Sequence, residues 1–209
     1  MRSYLALLLS IVACLSGCGR EPTTQEEKAV KAIRGLGGEV WRDDKIPERP
    51  IVDVSLNKIT DAALKELKEL KDLRVLELCG SGITDASLEQ LQELEDLKNL
   101  QYIFLSGTRV TGAGLKHLRE LKSLKWLELS ETQVTDDGLA YLKDLKGLTA
   151  LYLGGTKVTD AGLKHLKELT GLKFLFLGGT KITDAGLDDL RRALPNAKVI
   201  GPSGAYPVH

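Results

Sequence analysis

The stretch Leu172-Lys173-Phe174-Leu175-Phe176-Leu177-Gly178-Gly179-Thr180-Lys181-Ile182-Thr183-Asp184 decides how this chain reads. Within Leu175-Phe176-Leu177 the residues alternate as in a β-strand, so both leucines turn to one side and Phe176 to the other. Gly178-Gly179 marks a turn, and the hydroxyl of Thr180 is placed to bond the loop backbone. Thr183 or Asp184 can then cap a short helix, since either side chain accepts from an unpaired first-turn N–H.

The same phrase recurs along the chain. Ile59-Thr60-Asp61, Ile83-Thr84-Asp85, Val110-Thr111-Gly112, Val134-Thr135-Asp136, Val158-Thr159-Asp160 and Ile182-Thr183-Asp184 follow one another at intervals of 24, 27, 24, 24 and 24 residues. After each comes an apolar stripe at helical spacing, such as Leu163, Leu166 and Leu169. No copy can bury its own apolar face, so the copies must stack on one another.

The pattern LxxLxLxxTxI followed by Gly-Leu-x-x-Leu resembles the leucine-rich repeat, and the match runs from about Ile51 to Ile200. The resemblance implies an α/β fold: a right-handed solenoid of six repeats and a terminal half repeat, with a concave parallel sheet and short convex helices. The Thr-Asp-x-Gly-Leu phrase looks closest to bacterial repeats of the ribonuclease-inhibitor-like and internalin-like groups. It departs from the cysteine-containing variety, since the whole chain has 3 cysteines. Repeats of these groups mostly bind proteins and seldom catalyse, which makes a protein partner the expectation and an enzyme the exception.

Composition agrees with a folded domain. The 209 residues are 43% hydrophobic and 28% charged, and 29 basic side chains balance 29 acidic ones. A chain so near neutral lacks the clustered Lys and Arg that phosphate neutralisation demands, so no nucleic-acid partner is expected.

Residues 1–17 read as an export signal: Arg2, then the charge-free run Tyr4 to Leu15, which is too short for the roughly 20 residues of a spanning helix. Leu15-Ser16-Gly17-Cys18 resembles the lipobox of bacterial lipoproteins. That resemblance implies cleavage before Cys18, lipid on Cys18, a membrane-anchored protein of the cell envelope and a short tether over residues 18–24. Cys14 leaves with the signal and Cys79 has no partner, so no disulfide framework is expected.

Both ends of a solenoid need closing. Residues 25–50 are expected to form an N-terminal cap: a helix from Gln25 to Leu36 with Ala29, Val30, Ile33 and Leu36 on one side, a stop at Gly37-Gly38, and a strand over Glu39 to Arg42. The sequence from Leu194 to Ile200 reads as the closing half repeat, and 201–209 as a loose tail. The 27-residue interval adds a helical turn with Glu89, Glu93, Glu95 and Asp96, a convex acidic patch.

Aligning the copies defines the concave face. One column reads Ile51, Val75, Tyr102, Trp126, Ala150, Phe174 and a second reads Asp53, Glu77, Phe104, Glu128, Tyr152, Phe176. At a strand spacing of about 4.8 Å, Tyr102, Phe104, Trp126, Tyr152, Phe174 and Phe176 form one solvent-facing aromatic stripe. It is rimmed by Arg74, Lys125, Lys173, Glu77, Glu128 and Glu131. With Glu128 these aromatics are the candidate partner-binding residues, for a protein or alternatively for a glycan stacked on the rings.

Catalytic chemistry finds little footing. His117 and His165 occupy equivalent helix positions, expected on the solvated outer face, and do not converge. Cys79 falls in a column otherwise filled by Ser55, Ser106, Ser130, Gly154 and Gly178, where small size is wanted rather than a reactive thiol. The repeating Asp61, Asp85, Asp136, Asp160 and Asp184 suit helix capping better than a calcium ladder, which Gly112 would interrupt. No phosphate-binding glycine loop is present in the sequence, and neither a metal nor a cofactor is expected. An envelope hydrolase is the remotest of the readings.

Overall fold

The computed structural model describes residues 24–42, 51–55, 61–80, 82–92 and 95–204; for 51–53, 61–63, 95 and 96 it describes the backbone alone. The export segment, Cys18 and residues 205–209 lie outside it. The strands are β1 (Glu39–Arg42), β2 (Ile51–Ser55), β3 (Val75–Glu77), β4 (Tyr102–Phe104), β5 (Trp126–Glu128), β6 (Ala150–Tyr152), β7 (Phe174–Phe176) and β8 (Lys198–Ile200). They form one 8-stranded sheet in chain order, β1 antiparallel to β2 and every later pair parallel. From β2 onward, short α- and 3-10 helices return the chain from each strand to the next, which makes an open α/β solenoid.

Register stacks one inward residue of each strand from β2 to β8 over that of its neighbour: Val54, Leu76, Ile103, Leu127, Leu151, Leu175 and Val199. All seven are buried, and they share one core with the helix leucines, among them Leu115, Leu139, Leu163 and Leu187. Each such side chain stabilises the fold by about 1.5–3 kcal/mol relative to exposure. Behind each of β4 to β7 a threonine fixes the turn, as Thr108, Thr132, Thr156 and Thr180 donate to the carbonyl three residues back at 2.6–2.7 Å.

The Thr-Asp phrase joins neighbouring copies. Asp85, Asp136 and Asp160 accept both the backbone N–H and the hydroxyl of the next copy's threonine, Thr111, Thr159 and Thr183, at 2.6–2.9 Å. With its proton given to the aspartate, each threonine oxygen accepts from a first-turn N–H of its own helix, on Ala113, Ala161 or Gly186. Threonine is therefore the cap, and aspartate is a link between copies rather than a cap of its own helix. Bonding to Thr183 holds the Asp160 carboxyl below the usual carboxylate range.

Gly112 breaks the series, and Thr135, the threonine it would have served, makes no side-chain cap. The copies close on each other there: a Cβ on Gly138 would lie 2.4 Å from the Cα of Gly112. In the other copies the aspartate carboxylate fills this place, so that a Cβ on Gly114 or Gly186 would lie 2.3 Å from Oδ1 of Asp85 or Asp160.

The ends differ in detail from the sequence expectation. The first helix is Thr24–Gly35, burying Ala29, Val30 and Ile33 while Leu36 is exposed, because the chain turns at Gly37 with φ 83°. Register at the first repeat is slipped by two residues: Asp53, not Ile51, lies opposite Val75, and Ser55 lies opposite Glu77. A slip of two leaves every side chain on its own face, so the alternation that fixes the other strands cannot fix this one. At the other end, residues 201–204 form a turn tied to the preceding copy, with Gly179 N–H donating to Pro202 O at 2.9 Å. Glu93, Glu95 and Asp96 of the acidic insertion are not described as side chains; Glu89 is exposed on the helix Asp85–Gln92.

Gly138→Ala should lower stability by roughly 1–3 kcal/mol, because its methyl meets backbone that cannot rotate away. Gly35→Ala, with nothing within 4 Å of the added carbon, serves as the control and should leave stability unchanged or raised. Urea denaturation monitored by circular dichroism reads both; equal midpoints would contradict the close approach.

Candidate interaction face

The concave face is built from two outward columns. One runs Trp41, Asp53, Val75, Tyr102, Trp126, Ala150, Phe174 and Lys198, and the other Glu39, Ser55, Glu77, Phe104, Glu128, Tyr152, Phe176 and Ile200. All six aromatics expected on this face are on it. Trp41, on the expected cap strand, joins them at the N-terminal edge through its pairing with Asp53.

The rings lie along the stack and cover one another. Trp126 and Tyr152 stack with centroids 4.8 Å apart at 24°, Tyr152 and Phe174 stand 5.1 Å apart, Tyr152 and Phe176 6.1 Å, and Phe104 and Trp126 6.3 Å. Such offset and tilted pairs add about 0.5–1.5 kcal/mol beyond their buried area. The stripe is thus less open than its sequence suggests. Tyr152, Phe176 and Glu128 are buried, while Tyr102, Phe104, Trp126 and Phe174 are half-buried and remain partly in solvent. The small residues beside the strands explain how Phe176 lies flat, since a Cβ on Gly154 or Gly178 would fall 2.4 or 2.3 Å from its ring.

Polar groups on this face are few and specifically held. Glu128 accepts from the backbone N–H of Ser130 at 2.7 Å. Glu77 accepts from the Ser55 hydroxyl; burial, with the nearby charge of Glu39, pushes its carboxyl above the usual range. The Trp126 indole N–H and the Ser130 hydroxyl are buried with no hydrogen-bond partner among the described residues. Glu131 stands in the left-handed backbone region, with φ 58°, where Gly107, Gly155 and Gly179 occupy the equivalent turns, and its carboxylate lies over Gly155. A non-glycine residue there stores strain. Lys125 and Arg74 are half-buried and Lys173 exposed at the opposite ends of the strands, giving the mixed rim expected.

Other candidate chemistry is not brought together. His117 is buried rather than solvated, its Nδ1 2.5 Å from Gln92 Oε1. The longer helix of the 27-residue interval, Asp85–Gln92, carries Gln92 over it. Burial and then the charge of Lys116 hold the imidazole below its usual pKa. His165 is half-buried two copies away. Cys79 neighbours Ser106 as expected, but Ser55 pairs with Glu77 and is not in its column. Among the described residues no three His, Cys, Asp or Glu side chains converge to hold a metal, and no helix is long and apolar enough to cross a membrane. An open groove of about 590 Å³ lies off the concave face, lined by Thr111, Gln133, Thr135, Tyr141 and Lys157, where Gly112 interrupts the aspartate series.

No family model matches the sequence, and the search of curated proteins found no match. Among solved structures the chain is similar to internalin C2 of Listeria monocytogenes, at 26% identity and TM-score 0.54, over 70% of this chain and 59% of that one. It is similar to a second internalin of the same organism at 19% identity and TM-score 0.50, over 69% of this chain and 44% of the other. A leucine-rich repeat protein of Leptospira interrogans matches at 23% identity and TM-score 0.52, over 71% of this chain and 36% of the other. The fold is the leucine-rich repeat solenoid, in a form shared with bacterial proteins of that kind. This chain spans less than two thirds of each of those proteins.

Burial, and then the charges of Glu77 and Glu128, push the Cys79 thiol up to about 11. Since the thiolate is the nucleophile, alkylation of Cys79 at neutral pH should be far slower than that of a free thiol and rise only as pH approaches that value. Glu77→Gln should shift the profile to lower pH. Mass-spectrometric mapping of iodoacetamide-labelled Cys79 against pH gives the test; rapid labelling at pH 7 would contradict it.

Proposed function

We propose that this protein is a binding module that holds a partner protein against its concave face, at the bacterial cell envelope. The observation that carries the reading is the run of Tyr102, Phe104, Trp126 and Phe174 across β4 to β7, each partly in solvent. Half-buried aromatics beside a charged rim are the anchors on which protein interfaces concentrate affinity. The fold it shares with internalins supports a protein-interaction role. A glycan platform is the second reading, and ring geometry counts against it: Trp126 and Tyr152 turn their faces onto each other and Tyr152 is buried, so the stacked faces are closed to a sugar. Catalysis has no part in the proposal, since His117 is covered by Gln92 and His165 lies two copies away from it.

Anchoring by lipid on Cys18 belongs to the same proposal and is supported by the charge-free run before Leu15-Ser16-Gly17-Cys18. Metabolic labelling with a palmitate analogue should mark the wild type and not Cys18→Ala, which should also leave the membrane fraction. Equal labelling and fractionation of the two would refute the anchor.

Crosslinking in the envelope should enrich a defined protein with the wild type and lose it with a variant carrying Tyr102→Ser, Trp126→Ser and Phe174→Ser. Circular dichroism must first show that the variant is folded. Recovery of the same partner by both forms would mean that the stripe is packing alone.

A further inference from the structure

Charge is distributed unevenly over the concave face. In its two columns the described charged side chains are Glu39, Glu77 and Glu128 over the N-terminal five strands, and Lys198 alone at the far edge. Glu39 is exposed and Glu77 half-buried, and both flank Ser55 on β2. The groups acting on Glu77 are the hydroxyl of Ser55 and the second carboxylate Glu39, so its negative charge is held partly out of water beside another of the same sign. Phe104 follows Glu77 in the column, about 4.8 Å further along the stack, and its ring stands 6.3 Å from that of Trp126. Carboxylate and aromatic edge are thus set side by side, an arrangement that favours an organic cation by ion pairing and by attraction to the ring. Beyond Trp126 the face becomes apolar, with Ala150, Phe174 and Phe176 in succession.

Taking the concave face as the binding surface, we propose that its occupant is a basic segment of a partner protein, lysine- or arginine-bearing where it crosses Glu39, Glu77 and Phe104, and apolar where it crosses Trp126 and Phe174. Charge complementarity selects this occupant: an acidic segment would place like charges over β1 to β3, and a purely apolar one would cover the Glu77 carboxylate with the Ser55 hydroxyl beside it but no cation to balance its charge. The aromatic half supplies affinity, and the acidic half fixes the direction in which the segment lies.

Fluorescence anisotropy with the full chain and two short labelled peptides tests this. The peptides share the same apolar residues and carry lysine in one and glutamate in the other at the remaining positions. The lysine peptide should bind, with an affinity that falls as salt rises, and the glutamate peptide should not. Glu77→Gln should weaken the lysine peptide roughly fivefold, and Glu77→Lys should reverse the preference, a result that a merely misfolded variant cannot give. If both peptides bind alike and Phe174→Ser weakens both, the aromatic face binds protein and the basic occupant is wrong. If the lysine peptide binds but ignores both Phe174→Ser and Glu77→Gln, it sits elsewhere and the concave reading falls with the proposal. Failure of the wild type to bind either peptide overturns the basic occupant, while the envelope crosslinking still decides the concave face.

Discussion

Everything in this molecule follows from stacking in register at the spacing of a parallel sheet. A single copy cannot bury its own apolar face, so Leu76, Ile103, Leu127, Leu151 and Leu175 are dry because each has a copy above and below. Once that spacing is set, every equivalent position must tolerate its neighbour a strand away. Glycine follows the threonine-aspartate pair because the previous aspartate already fills the space a side chain would need. Threonine precedes aspartate because its hydroxyl serves two masters, donating across to the previous aspartate and accepting from its own helix. Gly112 shows the alternative solution, with backbone closing on backbone where the carboxylate is missing.

The same spacing shapes the concave face. Side chains that leave the sheet outward at each strand must either repel, mesh or cover one another, and the C-terminal half meshes. Tyr152 touches Trp126, Phe174 and Phe176, and forms with Ala150 and Phe176 a second small core on the outer side of the sheet. The stripe is therefore both structure and surface: its centre stiffens the sheet, and its edges at Tyr102, Phe104 and Phe174 remain available. A preorganised aromatic surface loses little side-chain freedom when a partner arrives, which is the physical basis for expecting protein binding here.

Much of this was legible in the sequence because period and phase are robust signals. Intervals of 27 and then 24 residues place Val75, Tyr102, Trp126, Ala150 and Phe174 in one column, and the structure keeps that column. The first repeat was not legible, since a two-residue slip costs nothing in face alternation, and Ile51, Asp53 and Ser55 were each placed one pair out of register, while the strand Glu39–Arg42 was expected but given no place on the concave face. Burial on the concave side was missed for another reason: a column shows which way a side chain leaves the strand, not that Phe176 then lies down over Gly154 and Gly178. His117 escaped because a helix face alone gives no sign that Gln92, from a longer neighbouring helix, reaches across to cover it. The aspartates were read as caps within one copy, because the bond to the next copy spans 23 or 26 residues and exists only in the stack.

The claim that the concave face is occupied by a partner is tested most directly by hydroxyl-radical footprinting of the chain in intact cells and after purification. Tyr141, exposed on the convex side at 39%, is the internal reference. The account predicts that oxidation of Tyr102, Trp126 and Phe174 is suppressed in cells relative to the purified chain while Tyr141 is oxidised equally in both. Equal oxidation of the concave aromatics in the two settings would show an unoccupied face and contradict the account.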